Sequence, residues 1–123
     1  MKKVIIFGAT GNVGSYVLKY AKEYFAGTEY EVIASGRRET NFFESMDIPY
    51  YSVDLSKKED FEKLPQKDVY AVIDLAAEIP AYMDGYHSDK YIYGNIVGAY
   101  NVLEYCRTAG VDRILFSTTC FDV

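Results

Sequence analysis

A short apolar run, Val4-Ile5-Ile6-Phe7, passes directly into Gly8-Ala9-Thr10-Gly11-Asn12-Val13-Gly14, and this junction limits the possible folds more than any other feature. A continuous apolar run of strand length fits a strand covered on both faces. The residues after it have helical period from Asn12 to Ala26. Their apolar stripes are Val13/Val17/Tyr20/Tyr24 and Leu18/Ala21/Phe25, and Gly27 marks the end. The unit is therefore strand, glycine turn, helix, with glycines spaced GxxGxxG. Glycine there permits a tight turn, then close backbone approach to a pyrophosphate, then close packing of helix on strand. Free N–H groups at a helix start, with the positive end of its dipole, receive phosphates without a lysine. The junction thus predicts dinucleotide binding by Gly8, Ala9, Thr10, Gly11, Asn12, Val13 and Gly14. The plain alternative is a tight turn that merely happens to be glycine-rich. No GK[ST] ends the motif, which excludes a P-loop.

Strand-length apolar runs and helical segments go on alternating, as in a parallel α/β sheet. The predicted strands are Lys3–Phe7, Glu31–Ser35, Tyr50–Val53, Val69–Leu75 and Arg113–Ser117. A short helix is predicted over Phe42 to Met46. Another opens at Ser56-Lys57-Lys58-Glu59, which has the form of a capping box, and stops near Pro65. A long one spans Ser88 to Thr108, closes at Gly110, and places Ile92, Ile96, Ala99, Leu103 and Cys106 toward the core. Right-handed crossovers then favour a doubly wound Rossmann-type sheet in the order 3-2-1-4-5.

A length of 123 residues, half of them hydrophobic, suits one domain that can bury a core. The net charge of −5 argues against general affinity for nucleic acid or anionic membrane. No run approaches the ~20 apolar residues of a membrane helix. Met1-Lys2-Lys3 imitates the start of a secretion signal, but four apolar residues follow where about seven to fifteen are needed. A cytoplasmic location is expected. Cys106 and Cys120 are too few for a disulfide framework, and with the single His87 they leave no metal site. Thirteen tyrosines suit packing, an interface or substrate contacts equally.

The residue type at the end of the second strand selects the cofactor: a carboxylate binds a ribose 2′-hydroxyl and an arginine a 2′-phosphate. The chain reads Ser35-Gly36-Arg37-Arg38, with no acid before Glu39. Guanidinium suits phosphate and cannot accept from a hydroxyl. Arg37 and Arg38 therefore favour NADP over NAD, against the alternative of a solvated basic turn.

Several further segments occur in a telling order. Val53-Asp54-Leu55 follows the third strand. Val72-Ile73-Asp74-Leu75-Ala76-Ala77 ends the fourth. Asn95-Ile96-Val97-Gly98-Ala99-Tyr100-Asn101-Val102-Leu103-Glu104 lies on the long helix, and Gly110 to Thr119 carries the fifth strand and a hydroxyl run. With the glycine motif, these resemble the N-terminal part of the NAD-dependent epimerase/dehydratase family, in the extended short-chain dehydrogenase/reductase superfamily. The resemblance implies that Asp54 and Leu55 meet the adenine; on its own residues, Asp54 either accepts from the adenine amino group or caps its loop. It also implies that Leu75, Ala76 and Ala77 line the cofactor, small enough to let it approach, although the alanines suit helix packing equally. Asp74 stands where the family usually has histidine. Asn95 would bridge backbone near the cofactor. Thr119, with Thr118 and Ser117, would supply the hydroxyl that bonds a substrate oxygen, unless these side chains only satisfy loop backbone.

Catalysis in the family pairs such a hydroxyl with a YxxxK tyrosine and lysine further along the chain. The literal match here, Tyr86-His87-Ser88-Asp89-Lys90, precedes the long helix and is out of order, so it reads as a decoy. The expectation is therefore a cofactor-binding Rossmann domain over residues 1–123, lacking YxxxK and the substrate domain and inactive alone. Its parent would act on a nucleotide sugar or similar carbonyl/alcohol substrate. The alternatives are a non-catalytic dinucleotide-binding or redox-sensing module, and an interaction domain with a vestigial pocket. Family members commonly dimerise through the long helix, whose second stripe, Tyr93, Val97 and Tyr100, predicts a homo-oligomer.

Overall fold

Five parallel strands in the order β3-β2-β1-β4-β5 make the sheet expected from the sequence. The computed structural model describes residues 1–76 and 88–117. Its strands are β1 (Lys2–Phe7), β2 (Tyr30–Gly36), β3 (Tyr50–Ser52), β4 (Val69–Asp74) and β5 (Ile114–Phe116). The α-helices are α1 (Asn12–Tyr24), α2 (Ser88–Tyr91) and α3 (Gly98–Ala109). Turns of 3-10 helix occupy Phe42–Met46 and Lys58–Lys63. At the centre, Ile5 pairs with Ile33 on one side and Val72 on the other, and Val72 pairs onward with Ile114. The chain winds outward to β3, then returns to β4 beside β1, so the strand order reverses between β1 and β4.

Alternate side chains of β1 feed two cores. Ile5 and Phe7 pack with Val72, Phe61, Val102, Tyr105 and Cys106 on one face. Ile6 packs with Leu18, Ala21, Phe43 and Ile48 on the other. This double burial explains why the strand lacks polar alternation.

Three local expectations are corrected. On α1 the core stripe is Gly14, Leu18 and Ala21, while Val13, Tyr20 and Tyr24 of the other predicted stripe face outward. One helix resting on a sheet buries one stripe. The exposed rings instead stack on each other, Tyr20 against Tyr24 at 6.1 Å. The long helix is interrupted by a π-helical segment, Ile92–Val97, between α2 and α3. Wider turns there break the 3.6-residue phase. Ile92, Ile96 and Leu103, predicted to be core, are exposed, Ala99 is half-buried, and Gly98, Asn101, Val102, Tyr105 and Cys106 face inward. Finally, no side chain caps the turn at Lys58–Lys63. The Ser56 hydroxyl donates to Asp54 Oδ1 at 2.7 Å instead, so the capping box does not form. Among the described residues, no helix is long and apolar enough to cross a membrane.

Candidate functional site

The glycine turn folds back on the sheet where strand order reverses. Gly8 has φ +79°, and a Cβ there would lie 2.7 Å from the Ala76 nitrogen, so only glycine fits between β1 and the end of β4. A Cβ at Gly14 would lie 1.9 Å from the Gly8 oxygen; its absence lets α1 sit directly on the turn. Gly11 is different. It is exposed, its Cβ would meet only the Gly8 oxygen at 3.3 Å, and it borders open space. Two glycines thus serve packing and one leaves room for something else. The helix begins at Gly11 with no side-chain cap and no acid in its first turn. Its positive end therefore starts at the cleft with no carboxylate from its own first turn to compensate it.

The cleft holds about 210 Å³ and collects the carboxyl ends of four strands. Phe7, Gly8, Thr10 and Gly11 come from β1 and its turn, Gly36 and Arg37 from β2, Val53, Asp54, Leu55 and Ser56 from β3, and Leu75 and Ala76 from β4. Gly94, in the π-helical segment, closes one side.

Asp54 takes the loop-capping role: its Oδ1 accepts the Ser56 N–H at 3.0 Å and the Ser56 hydroxyl. Burial raises the Asp54 pKa, but those hydrogen bonds and the charges of Lys57 and Arg37 outweigh it and hold the carboxyl below its ordinary range. Asp74, at the end of β4, goes the other way. It is buried, it accepts the Ala76 N–H at 3.0 Å, and burial outweighs that bond to raise its pKa. Burial also pushes the Cys106 thiol up to about 11, helped by the Asp74 charge, and the side chain packs in the core.

The structure separates the two predicted arginines: Arg37 borders the cleft and Arg38 does not. Of the glycine motif, Gly8, Thr10 and Gly11 line the cleft, Ala9 and Gly14 are buried beneath it, and Asn12 and Val13 open the exposed first turn of α1. Leu55, Leu75 and Ala76 line it, whereas Asn95 is exposed and outside the lining. Ser117 is exposed and its N–H donates to the Asp74 carbonyl at 3.2 Å. Ala77, Thr118, Thr119 and the Tyr86-His87 part of the decoy lie outside the described residues.

Sequence reasoning missed Asn101. It is buried on α3, and its Nδ2 donates to the Leu55 carbonyl at 2.7 Å, tying the loop after β3 to the helix. The clue was a polar residue on what proves to be the core stripe. Larger cavities lie elsewhere. One of about 760 Å³ is bordered by Met1, Phe25, Gly27, Tyr30 and Pro49 at the opposite end of the sheet.

Comparisons with known proteins agree with this fold. The NAD dependent epimerase/dehydratase family matches residues 4–121. A UDP-galactose 4-epimerase superposes with a TM-score of 0.80 at 20% identity, covering 96% of this chain and 38% of that one. A Thermus thermophilus UDP-glucose 4-epimerase, solved in complex with NAD, gives 0.76 at 26% identity, covering 95% and 37%. A mutated uronate dehydrogenase gives 0.75 at 26%, covering 97% and 40%. The chain thus spans about two-fifths of these structures' lengths. No match is found among curated proteins.

Proposed function

Because the chain belongs to the NAD dependent epimerase/dehydratase family, we propose that residues 1–123 are its dinucleotide-binding domain and that this domain prefers NADP to NAD. One observation carries the reading: an uncapped helix start opens onto a switch-point cleft with Arg37 on its rim. Gly8, Thr10, Gly11 and the first N–H groups of α1 would hold the pyrophosphate. Leu55 and Val53 would cover the adenine, with Asp54 Oδ2 toward its amino group. Arg37 would take the 2′-phosphate, with Arg38 adding charge nearby. Leu75, Ala76 and Ala77 would flank the nicotinamide half, and Asn95 would brace backbone beside it.

Bound nicotinamide supplies hydride exchange with a carbonyl or alcohol carbon. This chain's part is to orient it, with Thr119, Thr118 and Ser117 holding a substrate oxygen. For the whole protein we propose epimerase/dehydratase-type oxidoreduction of a nucleotide sugar or similar carbonyl/alcohol substrate, in the cytoplasm. The names of the epimerases it resembles support that class. Calorimetric titration with NADP+ and NAD+ tests the reading. Tighter NADP+ binding is expected, reduced about tenfold by Arg37→Ala while NAD+ binding holds. Equal affinities or an NAD+ preference reject it.

Self-association is the second proposal. Tyr93 and Tyr100 are exposed beside half-buried Val97, and the phase shift adds Ile92, Ile96 and Leu103 to the exposed apolar residues. Such a patch suits an interface. Sedimentation should show a dimer or larger species that Val97→Glu shifts toward monomer; a monomeric unmodified protein sinks the idea.

A further inference from the structure

The β2–β3 ladder ends at Gly36, whose carbonyl accepts the Val53 N–H at 2.9 Å. The next two carbonyls belong to Arg37 and Arg38 and lie past the end of β2. They are met by side chains of β3. Ser52 Oγ donates to the Arg37 carbonyl at 3.0 Å, and the Tyr50 hydroxyl donates to the Arg38 carbonyl. The two donors are two residues apart and so share one face of β3. Each peptide plane of the arginine pair is thereby pinned to the neighbouring strand.

The hydroxyl of Tyr50 is itself held in place. Its ring stacks on buried Phe43 with centroids 5.1 Å apart and planes at 16°. A Cβ at Gly36 would strike that hydroxyl at 2.8 Å and Thr10 of the glycine turn at 2.9 Å, so the glycine admits both. The pinned arginine pair, the core and the phosphate-facing turn form one contiguous unit.

We infer that the Tyr50 and Ser52 hydroxyls are a positioning clamp that presents Arg37 at the cleft rim and so sets discrimination between a 2′-phosphate and a 2′-hydroxyl. The inference rests on the cofactor reading above. A guanidinium on a long stem binds a dianion well only when its backbone is fixed, because ordering it on binding costs affinity. A ribose hydroxyl makes no use of Arg37, so the clamp matters for one cofactor and not the other. Tyr50 and Ser52 touch no ligand in this account and act through Arg37.

The test compares wild type, Tyr50→Phe, Ser52→Ala and the double variant by calorimetry with NADP+ and NAD+, with thermal midpoints recorded. Tyr50→Phe keeps the ring on Phe43, and Ser52→Ala removes one oxygen, so each conserves packing. The double variant should lose about tenfold in NADP+ affinity and less than about twofold in NAD+ affinity. Ser52→Ala alone should lose about threefold on the same basis and serves if the double variant does not fold. In an Arg37→Ala background the clamp substitutions should change nothing further, which a general structural role would not reproduce. Parallel loss of both cofactors, or unchanged NADP+ binding in a wild type that prefers NADP+, overturns the clamp alone. A wild type without that preference overturns the cofactor reading, and the clamp with it.

Discussion

The two ends of the sheet use their polar groups in opposite ways. At the amino end of the strands, charges and rings close on one another. Lys2 pairs with Glu29 at 3.2 Å and lies 5.5 Å from the ring centres of Tyr30 and Tyr70. Those two rings meet edge to face at 5.0 Å, and Arg113 covers Tyr70 at 4.4 Å while bonding Asp112. At the carboxyl end, the helix start has no cap and Gly11 leaves its approach open. Yet the cavity at the amino end is the larger, about 760 Å³ against about 210 Å³. Volume therefore does not distinguish the carboxyl end; an uncapped helix start bordering a cleft does.

The largest effect expected from this contrast is on stability. Gly14 lies in the first turn of α1 and Gly27 just past its end. Gly14→Ala drives a methyl into the Gly8 carbonyl and should cost about 3 kcal/mol or more in urea unfolding. Gly27→Ala meets nothing within 4 Å and suffers only from φ +76°, a cost of about 1 kcal/mol. Similar losses at the two positions would mean that α1 does not rest on the turn as described.

Next in size is a pH effect confined to the carboxyl end. The Asp74 pKa is raised in the fold, chiefly by burial. Its contribution is thus fully present below the unfolded value and is lost as pH rises through the folded one. Asp54, held low, contributes in the opposite sense, losing its share as pH falls. Asp74→Asn should gain thermal stability relative to wild type as pH climbs above the ordinary carboxylate value of 3.8. A stability difference that does not vary with pH would show that the carboxyl is not desolvated.

The smallest effect belongs to the amino end. Arg113→Ala removes an exposed cation from the Tyr70 ring and should cost less than about 1 kcal/mol. It should leave NADP+ affinity unchanged in the same titration that reads Arg37→Ala. A matching loss of affinity would erase the distinction between the ends.

The regions differ in how legible they were. The sheet could be read because Val4–Phe7 and Ile114–Phe116 are continuous apolar runs and because right-handed crossovers leave few orders. The glycine turn could be read because the steric demands on Gly8 and Gly14 are local to the motif. The long helix could not. Its apolar residues continue around the cylinder, and the π-helical segment, which reset the phase and turned Ile92, Ile96 and Leu103 outward, has no periodic signature. Arg37 and Arg38 were indistinguishable in sequence because what separates them, that Arg37 borders the cleft and Arg38 does not, depends on strands that are distant along the chain. Asn101 escaped for the same reason, since its partner Leu55 is distant along the chain.

The most direct test is to map where the cofactor lands. Amide chemical shifts of the labelled protein, followed during NADP+ titration, report both ends of the sheet at once. The account predicts that Gly8, Gly11, Asn12, Val13, Arg37, Leu55, Ser56 and Ala76 move, while Thr28, Tyr30, Tyr70 and Arg113 stay in place. Shifts centred on the amino end, or none at saturating cofactor, would contradict it.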